Sequence, residues 1–155
     1  MNGYEPIFKR LWEQVCDIHY VWQIYCDLYA VGPDVIKLLN KNGSGFFHVN
    51  QLLMLDYMAL SLSKLTDPDV TSRNKNLSLR QLIRHAENVG DSELIAQLTG
   101  TFSELELSCE EFKAIRNKRI AHSDLKHALN EAEKVLPGIS QTQVEHRHWN
   151  RFESL

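Results

Sequence analysis

The stretch Phe46-Phe47-His48-Val49-Asn50-Gln51-Leu52-Leu53-Met54-Leu55-Asp56-Tyr57-Met58-Ala59-Leu60-Ser61-Leu62-Ser63-Lys64-Leu65 decides the fold class. Wound at helical pitch, it is apolar on most sides, and such a helix is a central one. Its length and lack of β-branched runs argue against a strand. Thr66-Asp67-Pro68-Asp69 stops it, and a polar loop is expected from there to Asn76.

On its N-terminal side, Phe8, Leu11, Trp12, Val15, Ile18, Trp22, Tyr25 and Tyr29 recur in steps of mostly three and four. That spacing predicts an amphipathic helix from about Tyr4 to Tyr29, ended by Gly32-Pro33. Pro33 suits the first turn of a short helix, Asp34 to Leu39. Asn40-Lys41-Asn42-Gly43-Ser44-Gly45 reads as a turn.

On the C-terminal side, Ser78 with Gln81 resembles a capping box and opens a helix from Leu79 to about Asn88. Gly90 closes it and Asp91 can cap the next. Ser92 to about Ala121 is then helical, either continuous or broken near Gly100 or Ser108. Asp124 can cap a further helix, Leu125 to Leu136, which Pro137-Gly138 ends. From Gln141 the tail is polar and is read as weakly helical or frayed. No strand pattern and no internal repeat emerge. The expected architecture is a single all-α domain over 1–155, an up-and-down bundle of five to six helices.

The formal net charge of −3 excludes a basic nucleic-acid coat, so any RNA contact needs a local patch. Three cysteines, odd in number and without a CxxC, fit a reducing compartment. Met1 to Arg10 has no apolar core of a signal peptide, and no run approaches the roughly 18 apolar residues of a membrane span. The expectation is a cytoplasmic protein without membrane association.

The chemistry concentrates in Arg116-Asn117-Lys118-Arg119-Ile120-Ala121-His122-Ser123-Asp124. Metal-independent RNA cleavage needs a base for the 2′-hydroxyl, an acid for the leaving oxygen and a cation for the phosphorane charge. Histidine suits the proton transfers because it titrates near neutrality. Arginine suits the charge because its planar fork matches phosphate oxygens. Asn117 can bind the same phosphate or orient the imidazole. The structural alternative is that these cations complement a helix C-terminus. On an ideal helix Arg116 and His122 point about 120° apart, so either the helix is distorted between them or two copies build one site. Arg119, three residues from His122, is a rival or accessory cation.

The order of GFFHVNQLLMLDYMALSLSKLTDP (45–68), KNLSLRQLI (75–83) and RNKRIAHSDL (116–125) resembles the AbiU-type abortive-infection family of the HEPN superfamily (higher eukaryotes and prokaryotes nucleotide-binding). The resemblance covers about Trp12 to Leu136. It implies a helical bundle, a homodimer whose Arg/His motifs face a shared cleft, and metal-independent RNA cleavage by transesterification. By that resemblance Arg116 is the motif arginine, Asn117 the polar residue after it and His122 the motif histidine. Arg119, Ser123 and Asp124 lie outside the general motif. It further implies a toxin or phage-defence effector with RNA as substrate and an antitoxin protein as a partner, without cofactor or metal. The alternative is an inert module that binds RNA, a nucleotide or a protein without cleaving. After Pro137-Gly138 the tail is shorter than the family leads one to expect.

Other clusters read as structural. His146-Arg147-His148 lacks the carboxylates or cysteines that would complete a metal site. Trp12, Trp22, Tyr25 and Tyr29 belong to a core or a dimer interface rather than a base-stacking platform. Arg80, Arg84 and His85 form a solvated helix face. Nothing marks Cys109 as a nucleophile, and neither GxxxxGK[ST] nor GxGxxG occurs.

Overall fold

The computed structural model describes residues 4–129, 131–133 and 136. Helix α1 (Glu5–Tyr29) follows its three–four pattern, with Pro6 near its start where a missing N–H costs nothing. It buries Leu11, Val15, Ile18 and Trp22. Gly32 separates it from α2 with φ 128°, a conformation that a Cβ disfavours.

Helix α2 runs Pro33–Leu65, longer than the spacing predicts. The expected six-residue turn at 40–45 contracts to one residue: Gly43 leaves helical geometry, and two helical pieces meet there at a kink. Tertiary contacts explain this. The Tyr29 hydroxyl donates to the Phe47 carbonyl at 2.8 Å with Asn50 Oδ1 at 3.0 Å, and Gln51 Nε2 donates to the Tyr25 hydroxyl at 3.3 Å. These contacts run antiparallel and hold α2 against α1 on the C-terminal side of the turn-prone residues. Tyr25 and Tyr29 are therefore half-buried within one chain, whereas Trp12 stays exposed.

The expected polar loop contains a small antiparallel hairpin, β1 (Val70–Thr71) with β2 (Asn74–Lys75), which no alternation signalled. Ser72 and Arg73 both take positive φ, the two-residue turn that matches strand twist. Asn76 stabilises it, donating through Nδ2 to the Pro68 carbonyl at 2.7 Å and to Thr71 Oγ1 at 2.8 Å. Gln81 Nε2 donates to the carbonyls of Asp69 and Asn76. The capping box is thereby corrected: Gln81 is spent on the hairpin, and the buried Ser78 hydroxyl caps nothing.

Helix α3 (Arg80–Val89) ends at Gly90, φ 77°. Asp91 then caps α4 (Ser92–Ile115), accepting from Leu94 N at 3.0 Å. Helix α4 is unbroken at Gly100 and Ser108; the Ser108 hydroxyl donates to the Glu104 carbonyl one turn back, so it stays within the helix rather than capping. Arg80 and Arg84 are not merely solvated. Arg80 forks onto Glu106 over the Phe102 ring, Arg84 pairs with Asp69, and His85 stacks on Tyr4.

Helix α5 is Leu125–Ala128, far shorter than the expected Leu125 to Leu136; residues 131–133 and 136 are not helical. Leu125 and Leu129 remain exposed. A short helix without a buried apolar face has too little to offset its nucleation cost. The Pro137-Gly138 stop, the tail from Gln141 and His146-Arg147-His148 lie outside the described residues.

One core results, joining Leu11, Val15, Ile18 and Trp22 of α1 to Met58, Leu62 and Leu65 of α2 and to Leu105, Cys109, Phe112 and Ile115 of α4. The expected all-α bundle is observed. Among the described residues, no helix is long and apolar enough to cross a membrane.

Candidate functional site

Helix α4 does not continue as α-helix into the cluster. At Arg116–Ile120 it widens into a single π turn, closed by Ala121 N donating to the Arg116 carbonyl at 2.7 Å. Such turns insert an extra residue, shift the faces of side chains beyond them, and are frequent at functional sites. The helix is thus distorted between Arg116 and His122. The chain then folds back, with Asp124 N donating to the Lys118 carbonyl at 3.2 Å.

Arg116 is the most organised side chain of the turn. Its Nη1 donates to both carboxylate oxygens of Asp67, at 2.7 and 2.9 Å, and its Nε donates to Asn117 Oδ1 at 3.0 Å. The side chains of Arg116 and Asp67 are only 20% and 26% exposed. Among the described residues Nη2 has no hydrogen-bond partner, so one terminal nitrogen is left for an incoming oxygen. Asp67 lies just past α2, in the loop that the hairpin braces. Leu79 N donates to the Leu65 carbonyl at 2.9 Å and ties the start of α3 to the same point.

Arg119 pairs instead with Asp56, within α2. Lys118 pairs with Asp124 at 3.3 Å. Asp124 also caps α5 and accepts from His127, whose Nδ1 lies 2.8 Å away. The His127 hydrogen bonds, aided by Lys118, hold the Asp124 carboxyl down at about 2. His122 is exposed just beyond the π turn and has no hydrogen bond to Arg116, Asn117 or Arg119. The structure therefore brings Arg116 and Asn117 together, sends Arg119 to a separate carboxylate, and leaves His122 facing solvent.

Cys109 sits one helical stretch below, fully buried, and burial pushes its thiol up to about 12. A thiol so protonated is no nucleophile. Among the described residues, no three His, Cys, Asp or Glu side chains gather as a metal site requires.

A family model described as AbiU2, of the HEPN type, matches residues 1–147. The chain belongs to the AbiU2 HEPN family. Comparison with curated proteins and with solved structures finds no match. The site of this AbiU2 domain is accordingly defined by its own geometry. What residue-by-residue reasoning missed is the carboxylate pair of α2 and its terminus. Asp67 stands in Leu65-Thr66-Asp67-Pro68, which reads locally as a helix stop, and Asp56 is the lone acid of the apolar stretch from Phe46 to Leu65.

Proposed function

We propose that this AbiU2 domain is a metal-independent endoribonuclease acting in the cytoplasm as a toxin or phage-defence effector, with one site assembled from two copies. The observation that carries the reading is Arg116: a guanidinium oriented by Asp67 and Asn117, with Nη2 unengaged among the described residues, on a π turn followed by an exposed imidazole. Family membership supports it.

The chemistry follows from these groups. One His122 takes the proton of the 2′-hydroxyl, whose oxygen bonds to phosphorus. The phosphorus–5′-oxygen bond breaks, and a second His122, from the other copy, protonates the leaving oxygen. The products are a 2′,3′-cyclic phosphate and a free 5′-hydroxyl. Arg116 stabilises the charge gathering on the phosphoryl oxygens. Asn117 contacts the substrate backbone, and Arg119, held by Asp56, orients the site. An antitoxin protein would act by covering this turn.

The test is cleavage of RNA by the purified protein in EDTA, beside Arg116→Ala and His122→Ala. Cleavage lost in both variants is expected. Absent cleavage, or cleavage unchanged in both, would sink the proposal. One observation favours a second reading, a module that binds RNA, nucleotide or protein without cutting: Arg116, Lys118 and Arg119 are each ion-paired, and among the described residues no side chain hydrogen-bonds to His122. Salt-dependent RNA binding with no product would identify it.

A further inference from the structure

Helix α2 carries a second apolar face that the core does not use. At about 100° per residue, Phe46, Val49, Leu53, Asp56 and Tyr57 fall within one arc of roughly 100°, with Leu52 at its edge. The buried Met58, Leu62 and Leu65 lie on the opposite side. Phe46 is 69% and Leu53 62% exposed, and Val49, Leu52 and Tyr57 are exposed as well. Together the five apolar residues present on the order of 500 Å², near the top of the range for the largest patch on a soluble monomer. Among the described residues, nothing covers this face.

Its charge and position indicate what would. From Asn42 to Ser63 the only Asp, Glu, Lys or Arg is Asp56. Asp56 is neutralised by Arg119, which reaches it from the π turn. The stripe is therefore uncharged, and it runs directly into the turn that carries Arg116 and His122. An uncharged surface offers no selectivity for an acidic or basic partner, but it complements itself across a two-fold axis. A stable interface takes about 800 Å² from each partner, with an apolar centre and a polar rim. The stripe supplies the centre, and the Arg119–Asp56 pair lies on its rim.

We infer that the Phe46–Tyr57 face of α2 is where a second copy of this chain docks, setting the two π turns beside a common cleft. This rests on the proposed composite site and names the surface that would build it. Arg119, held at the edge of that surface by Asp56, then acts as a positioning residue for the interface.

The test is sedimentation of the full chain and of Leu53→Glu, with helicity followed by circular dichroism. The wild-type chain is expected at twice its 18.0 kDa mass. Leu53→Glu is expected at the single mass with unchanged helicity. Should Leu53→Glu lose helicity, Val49→Lys on the same face carries the same expectation. Leu107→Glu, an exposed leucine on α4, is expected to stay dimeric. A monomeric wild type, including one that instead binds phosphatidylglycerol vesicles, overturns the inference. So does a dimer that survives both stripe variants, or one that Leu107→Glu breaks equally. If the dimer survives the stripe variants and RNA is still cut, the interface falls and the ribonuclease stands. If stripe variants break the dimer but wild type never cuts RNA, the interface stands and the ribonuclease falls.

Discussion

Replacing Asp67 by Asn keeps the shape of the side chain and one acceptor but removes the charge that holds Arg116. The two partners lie 49 residues apart in sequence and form two contacts through Nη1, at 2.7 and 2.9 Å. An exposed ion pair contributes about 0–1 kcal/mol. Removing one partner of a fully buried pair costs about 3–5 kcal/mol. With side chains 20% and 26% exposed, this pair lies between those limits, and Asp67→Asn should cost about 2 kcal/mol. In a domain of this size that lowers Tm by roughly 4–8 °C. Stability alone does not isolate the pair, so the assay is a double-mutant cycle of Asp67→Asn and Arg116→Gln, followed by urea denaturation. A coupling of about 1–2 kcal/mol is expected, because each single variant strands the other partner. Additive effects, with coupling under about 0.5 kcal/mol, would refute the view that Asp67 anchors Arg116.

Other consequences can be checked separately. The Asp124 carboxyl, held down by the His127 hydrogen bonds, contributes to the cap of α5 fully above about pH 4 and loses that contribution as pH falls through about 2; an NMR titration with a midpoint near 3.8 would refute the arrangement. Cys16 should react with a thiol reagent in the folded protein, while buried Cys109 should react only in denaturant; rapid native labelling of Cys109 would show the α4 core to be open. Asp91→Ala should cost about 1 kcal/mol in unfolding free energy through loss of the cap on α4, and an unchanged denaturation midpoint would contradict the cap. Arg119→Ala should loosen the dimer and lower RNA cleavage with it, whereas Arg116→Ala should abolish cleavage at unchanged sedimentation mass; the reverse pattern would exchange their roles.

Much of the fold is legible locally. Helix α1 follows its three–four pattern, and the Gly90-Asp91 junction follows from a residue that tolerates positive φ beside one whose carboxylate accepts a helix N–H. The errors share a cause. At 40–45 the turn-forming residues are real, yet contacts from Tyr25 and Tyr29 hold the helix together around a single kink at Gly43. At Ser78 the capping pattern is real, yet Gln81 is drawn to the hairpin carbonyls. At Leu125 the cap is real, yet Leu125 and Leu129 stay exposed and give the helix no buried face. Local preferences of about 1 kcal/mol give way where several tertiary contacts compete with them.

The candidate site divides along the same line. Sequence alone determined the family and the all-α class and nominated Arg116, Asn117, Arg119 and His122 as candidates, because residue order and helical periodicity are properties of the chain. Tertiary structure decided what those residues face. Only folding brings Asp67 across 49 residues to Arg116 and Asp56 across 63 to Arg119, and only the packing of α4 on α2 sets the π turn beside an uncovered apolar stripe. Charge pairing between distant segments leaves no periodic trace, since it depends on which helix faces meet rather than on the spacing within either one.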